Sequence, residues 1–248
     1  DTGDASPLLT LSARNKHHAM TALANLAKFQ GKYDKFKQLR ERYNLKWSKG
    51  NGLASFERFF NDDLNFEVML RRVKKMMQKL PPNIAAIIKF DCMTGLRASE
   101  AVESVRLIND KVAFAKYYNP ERQALEHFKF PSIFLRQTKK AYISFVTPAI
   151  LDIVASHNND DGGDYPVSPT WSQIRNLARR KGLSMDMRFC RKIYASWLHQ
   201  CGIDSETIDF LQGRTSTSVF SNHYLTPNQD LKYKVLDAVN KLKVTIER

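Results

Sequence analysis

Apolar positions recur at helical spacing along most of this chain, and glycines and prolines punctuate the runs. After a small, polar lead-in over 1–7, a stripe of Ala19, Leu23, Leu26 and Ala27 predicts a helix over 12–29 that Gly31 stops. A second helix passes through Phe36, Leu39, Tyr43 and Leu45, and its other face carries Lys32, Lys35, Lys37, Arg40, Arg42 and Lys46. The turn Lys49-Gly50-Asn51-Gly52 leads to a short helix over 53–60 and a longer one over 64–79. Leu80-Pro81-Pro82 is the natural boundary, because two prolines end a helix and stiffen a connector. Beyond it a helix over 83–93 stops at Gly95, and another spans 99–107. Three runs rich in β-branched or aromatic residues, 111–116, 132–136 and 142–147, read as strands. Pro148 suits the first turn of a helix reaching Ala155, and 158–166 is a polar, acidic loop. Ser168-Pro169 is a cap and first-turn pair for a helix reaching Lys181. Helices over 186–201, 205–212 and 227–244 complete the chain, with Gly202 and Gly213 as stops. The expected fold is mainly α with a small three-stranded antiparallel sheet (α+β). A helical domain over 1–79 precedes a second domain over 80–248.

Charge changes this picture. The 39 Lys+Arg and 25 Asp+Glu give a net +14, and residues 1–79 hold 16 of the basic and 8 of the acidic side chains. More than half of the surplus therefore sits on the first third of the chain, which favours a module that binds a polyanion, nucleic acid first among them. With 248 residues, 43% of them hydrophobic, the chain can bury a core, so disorder does not explain the charge. No run approaches the roughly 18 apolar residues that span a bilayer, and no signal peptide opens the chain. Cys92, Cys190 and Cys201 form no C-x-x-C pair. A soluble, intracellular protein with reduced thiols is expected. The first residue is Asp1 and not Met, which leaves open a segment upstream. The phosphate-binding, dinucleotide, zinc-protease and serine-hydrolase signatures are missing, and the histidines are scattered. Acidic pairs such as Asp62-Asp63 and Asp160-Asp161 fall in polar, turn-like stretches. Neither a cofactor nor a metal is expected, and ATP-driven or two-metal chemistry is disfavoured.

What stands out instead is a set of cations at helix starts and stops, followed by a late tyrosine. Arg97, in Thr94-Gly95-Leu96-Arg97-Ala98-Ser99-Glu100, lies on the corner between a helix-stopping glycine and a new helix. Arg188 and Arg191 are one turn apart on a helix whose buried stripe is Met187, Cys190, Tyr194, Trp197 and Cys201. Arg214 ends Leu211-Gln212-Gly213-Arg214, and Tyr224 follows in Asn222-His223-Tyr224-Leu225. Glu100 reads either as a surface carboxylate at a helix start or as a group orienting a basic neighbour.

Together these residues resemble the tyrosine recombinase (phage-type integrase) family, over roughly residues 83–226. The resemblance rests on T-G-L-R-x-S-E at 94–100, an R-x-x-R helix at 188–191, L-x-G-R at 211–214 and the tyrosine at 224. The family also places a lysine on a β-hairpin turn; here Lys139 takes that role, with Lys140 as the alternative, between two predicted strands. Arg188 stands where the family usually has His or Lys, Lys192 replaces a frequent His, and Arg214 replaces His or Trp. The step from Arg214 to Tyr224 is one residue longer than in many bacterial members. These features are most like integrases of archaeal viruses and plasmids.

The resemblance implies a site-specific recombinase with catalytic residues Arg97, Lys139, Arg188, Arg191, Arg214 and Tyr224. Tyr224 attacks a phosphodiester to leave a 3′-phosphotyrosine and a free 5′-hydroxyl, without metal or ATP. Arginines suit this chemistry because planar, permanent cations clamp phosphate oxygens where charge develops. They also favour the phenolate of a tyrosine whose ordinary pKa is about 10. A lysine can protonate the leaving oxygen, whereas Arg188 and Arg214 stay protonated and only donate hydrogen bonds. The implied partners are double-stranded DNA and further copies of the chain, a dimer on one site and a tetramer in synapsis, in the cytoplasm at the nucleoid of a host cell. The last helix serves either for exchange between protomers or for packing on its own domain. The rival readings are a type IB topoisomerase and a non-catalytic DNA-binding protein.

Overall fold

The first long helix starts where Ser12 offers its hydroxyl oxygen to the Asn15 amide, 3.4 Å away, and it runs Ala13–Phe29 (α1). The computed structural model describes residues 3–47, 65–136, 139–155, 169–183, 187–214 and 230–248, with Arg14 and Lys139 by their backbone alone. Gly31, at φ 68°, turns the chain out of α1, and the Lys32 amide closes back on the Ala27 carbonyl at 2.7 Å. A second helix, Tyr33–Arg42 (α2), follows. Leu8, Met20 and Leu45 form a small buried cluster with Ala5, Ala19, Tyr43 and Trp47 against it. The expected stripe is shifted: Met20 and Ala24 are buried, while Leu23 and Leu26 are exposed. Those two leucines line a cleft beside Phe36 and Leu39, so burial depends on where the neighbouring helix lies and not on apolarity alone. The helix expected over 53–60 lies outside the described residues.

By packing, the chain divides into Asp1–Asn61 and Asp62–Arg248. The helix Phe66–Lys79 (α3), capped by the Asn65 side chain, therefore falls in the second unit and not with the first two helices. Its Met69, Leu70, Val73 and Met76 are buried in that unit's core, and Phe66 stacks on Trp197. The Leu80-Pro81-Pro82 break separates two helices of one core, because a connector stiff enough to end a helix can also fold the next one back against it.

Pro82–Thr94 (α4) is the centre of this core, with nine buried residues including Ile84, Ile87, Ile88, Phe90 and Met93. A helix apolar on nearly every face must be surrounded, and α4 touches neighbours on all sides. Ala98–Asn109 (α5) comes next. The segment 111–116, expected as a strand, is instead the helix Lys111–Tyr117 (α6). Asp110 decides this, since its side chain accepts from the amides of Val112 and Ala113 at 2.9 and 3.0 Å. The helix leaves Val112 at the surface and Tyr117 fully buried.

The sheet is three-stranded and antiparallel, as expected, but its strands are very short, and only Ser144–Phe145 falls in an expected run, 142–147; the other two come from other residues. Tyr118–Asn119 (β1) pairs with Ala124–Leu125 (β2), and β2 pairs with the strand at Ser144–Phe145. Between them Pro131–Phe134 forms one helical turn (α7) where a strand was expected over 132–136. The proline fixes φ for a helix start, and only the tail of that run is extended. That tail, Leu135–Arg136 (β3), pairs with Lys139–Lys140 (β4) as a separate two-stranded hairpin, and Ser144–Phe145 is β5.

Pro148–Ala155 (α8) begins at its proline as expected. Trp171–Arg180 (α9) is capped by Thr170, which bonds reciprocally with Gln173, so the cap lies two residues beyond Ser168. Arg188–Gln200 (α10) and Ser205–Leu211 (α11) follow, the latter capped by Asp204. Cys201, expected inside, is exposed just past the end of α10. Leu231–Glu247 (α12) packs on its own unit through Val235, Leu236, Val239, Leu242 and Ile246, and its Ala238 carbonyl accepts from the Trp197 indole at 2.8 Å. Among the described residues no helix is long and apolar enough to cross a membrane.

A buried polar chain ties α5 and α6 to the sheet. The Ser104 hydroxyl meets the Tyr117 hydroxyl at 2.8 Å, Tyr117 meets His127 Nδ1 at 2.6 Å, and His127 Nε2 meets the Ser144 hydroxyl at 2.8 Å. Burial pushes the His127 pKa from 6.5 down to about 3. As pH falls through 6.5 the unfolded chain takes up this proton while the folded one does not. The stability is therefore full above pH 6.5 and is lost on the way down to about 3. Urea unfolding of wild type and His127→Gln isolates the effect. Between pH 6.5 and 5 the wild type should lose stability faster, by up to about 1.4 kcal/mol per pH unit. Parallel curves would refute the assignment.

Candidate active site

Gly95 is where α4 ends, at φ +62°, with its amide on the Asp91 carbonyl at 2.8 Å. A Cβ there would sit 2.4 Å from the ring of Tyr194, so the position needs glycine for its backbone and again for its neighbour. Two residues on, Arg97 is the extended N-cap of α5. Its amide donates to Glu100 Oε2 at 3.1 Å, and its Nη1 donates to Glu100 Oε1 at 2.9 Å. Glu100 is completely buried, so of its two readings the structure supports the one in which it orients a basic neighbour. Arg97 Nη2 also reaches the Gly213 carbonyl at 3.4 Å.

Helix α10 brings Arg191 to the same place. Its Nη1 donates to the Gly95 carbonyl at 2.7 Å and its Nη2 to the Gln212 carbonyl at 2.9 Å. Gly213, past the end of α11 at φ +66°, completes the corner. A Cβ on it would meet the Ala141 nitrogen at 2.6 Å, and its carbonyl accepts from the Lys140 amide at 3.4 Å. That contact brings the β3–β4 hairpin alongside the arginines, with Lys139 opposite Arg136 in the ladder. Arg214 is exposed and pairs with Asp209 at 3.1 Å. Arg188 opens α10 one turn before Arg191 and is exposed. Tyr224 lies outside the described residues.

The electrostatics of this cluster are unusual for a surface. Burial pushes the Arg191 pKa down to about 10; the charges of Arg97 and Arg214 add to this, and Asp91 and Glu100 oppose it. Asp91 is fully buried, and neither of its oxygens has a hydrogen-bond partner among the described residues. Burial raises its pKa well above the ordinary carboxyl value, against the pull of Arg191. Among the described residues Arg191 commits two of its five N–H donors to carbonyls, which orients the guanidinium. An arrangement of this kind can hold the oxygens of a phosphate group and stabilise extra negative charge on them.

Arg97, Arg191 and Arg214 are thus brought together, with the lysine-bearing strand beside them. Sequence reasoning did not single out Asp91 or Gln212, and it took Tyr194 as core alone. A carboxylate inside an otherwise apolar helix was the available signal for Asp91; nothing in the spacing marked Gln212.

Residues 164–236 match the family model of archaeal phage integrases. This stretch contains Arg188, Arg191, Arg214 and Tyr224. The match, over less than a third of the chain, suggests an integrase or recombinase role. Comparison with curated proteins and with solved structures finds no match.

The two glycines generate a graded expectation. Gly202 also has positive φ, at +81°, but a Cβ there meets nothing within 4 Å. Gly202→Ala should cost about 1–2 kcal/mol, the backbone penalty alone. Gly95→Ala and Gly213→Ala should cost clearly more, because a ring or a backbone must also move. Thermal or urea unfolding of the three variants checks the order, and equal losses would mean that neither corner is tightly packed.

Proposed function

We propose, from the likeness to archaeal phage integrases and from the arginine cluster, that the chain is a tyrosine-type site-specific DNA recombinase. The observation that carries this reading is the meeting of Arg97 and Arg191, from distant boxes, on the linked carbonyls of Gly95, Gln212 and Gly213. Two oriented guanidiniums form a clamp for the non-bridging oxygens of a phosphodiester, and Arg188 and Arg214 add donors at its rim. Tyr224 is the nucleophile. Its hydroxyl gives up its proton to solvent, the phenolate oxygen forms a bond to phosphorus, the bond to the 5′ oxygen breaks, and Lys139 gives that oxygen a proton, with Lys140 as the alternative donor. The product is a 3′-phosphotyrosyl enzyme and a free 5′-hydroxyl. Reversal with a new 5′-hydroxyl rejoins the strand and needs no external energy source.

In this reading the basic residues over 1–79 serve core binding and 80–248 catalysis, with α3 belonging by its packing to the second unit; both parts contact duplex DNA through its phosphates. Dimers on one site and tetramers across two sites follow from the same proposal, as does action in the cytoplasm at the nucleoid of a host cell. The packing of α12 on its own unit favours no exchange of that helix in the free chain.

A nicked suicide duplex carrying the target site tests the chemistry. Wild type should accumulate a covalent adduct, Tyr224→Phe should form none, and Arg97→Ala or Arg191→Ala should slow adduct formation by about 10²-fold or more. An adduct that survives Tyr224→Phe would sink the mechanism. Comparing Lys139→Ala with Lys140→Ala on a 5′-bridging phosphorothioate substrate identifies the proton donor, because the thiolate leaves without a proton and rescues only the true one. Strand exchange between two sites, as opposed to relaxation of supercoils, separates a recombinase from a topoisomerase. Affinity for duplex should fall steeply with salt, in proportion to the number of phosphates contacted.

A further inference from the structure

Gln212 is fully buried and bonds to Arg191 from both directions. Its main-chain carbonyl accepts from Arg191 Nη2 at 2.9 Å, and its side-chain Nε2 donates to the Arg191 main-chain carbonyl at 2.8 Å. The two bonds tie both the guanidinium and the backbone of Arg191 to one residue. They also orient the amide: the nitrogen must face the Arg191 carbonyl, and Oε1 has no partner among the described residues. The donor end of the side chain is therefore the part that acts.

Position makes this more than a helix contact. Gln212 follows α11 directly and precedes Gly213, whose carbonyl receives both Arg97 Nη2 and the Lys140 amide. A shift of Gln212 relative to α10 would move the acceptors of Arg191, Arg97 and the lysine-bearing strand together. Guanidinium donors aimed at an oxyanion lose effect when displaced by a fraction of an ångström, since charge stabilisation depends on preorganised geometry.

We propose that Gln212 is a positioning residue: it sets the guanidinium of Arg191 against the phosphate by holding the Arg191 backbone through its side-chain N–H. The inference rests on the recombinase reading for its substrate, but its geometry does not. It predicts that Gln212 acts through Arg191 and not on DNA directly.

The test is a double-mutant cycle on single-turnover cleavage of the suicide duplex. Gln212→Met keeps the side-chain volume and removes the donor. It should slow cleavage about tenfold while duplex affinity stays within about twofold and the unfolding midpoint remains close to wild type. In an Arg191→Lys background the same change should have almost no further effect. If Gln212→Met does not fold, Gln212→Leu takes its place, of similar size and with no donor. Unchanged cleavage, or losses that simply add in the double variant, would overturn the proposal, because a general structural role does not depend on Arg191. Should wild type form no adduct, the recombinase reading fails separately. The cycle is then read from titration with inorganic phosphate, where Gln212→Met should weaken binding only while Arg191 is present, and equal weakening in both backgrounds overturns it.

Discussion

Arg191 donates to the carbonyls of Gly95 and Gln212, and the arrangement of the other boxes depends on those two bonds. Each carbonyl is available because a helix has just ended: α4 at Gly95, and α11 immediately before Gln212. Helix C-termini leave carbonyls without intrahelical partners and carry a partial negative charge, so a guanidinium is the natural group to satisfy them. The site is built where two such ends face one basic helix. Glycine at 95 and at 213 then lets the chain leave each end closely packed against Tyr194 or the β4 strand.

Burying a guanidinium beside other cations has an electrostatic cost: the pKa of Arg191 is lowered chiefly by burial, and further by the charges of Arg97 and Arg214. One buried carboxylate answers it directly: Glu100 pairs with Arg97 at 2.9 Å. Asp91 is buried near Arg191 too, but burial raises its pKa well above the ordinary carboxyl value, which favours its neutral form. Among the described residues Arg191 commits only two of its N–H donors, to the Gly95 and Gln212 carbonyls. A phosphate oxygen arriving at the cluster would meet cations already oriented and partly desolvated, the condition under which electrostatic stabilisation is strongest. The permanent charge of arginine suits the task, since at an ordinary working pH even a pKa of about 10 leaves it protonated.

Much of the fold was legible from spacing and punctuation. The helices at 66–79, 82–94, 98–109, 188–200 and 205–211 lie close to their expected positions, with Gly95, Gly202 and Gly213 as stops. Errors arose where a local side chain overrode the pattern. The β-branched and aromatic residues at 111–116 looked like a strand, but Asp110 satisfies two free amides and starts a helix. Thr170, not Ser168, has the reciprocal partner at Gln173. The break at Pro81-Pro82 was visible, yet not that α3 packs on the same core as α4, because a proline reports on the backbone and not on which apolar faces will meet.

For the candidate site, the sequence by itself determined the residue types and their order: cations at helix starts and stops and glycines at the corners. These are local properties, dictated by dihedral angles, caps and periodicity; the lysine entered only through the resemblance. Only the tertiary structure decided which cations share a place. It brought Arg97, Arg191 and Arg214 together, left Arg188 at the exposed start of α10, buried Glu100, and put Gln212 on both ends of Arg191. The reason is physical. A hydrogen bond between residues far apart in the chain forms only after helix packing has fixed both partners, and no spacing along the sequence encodes that distance.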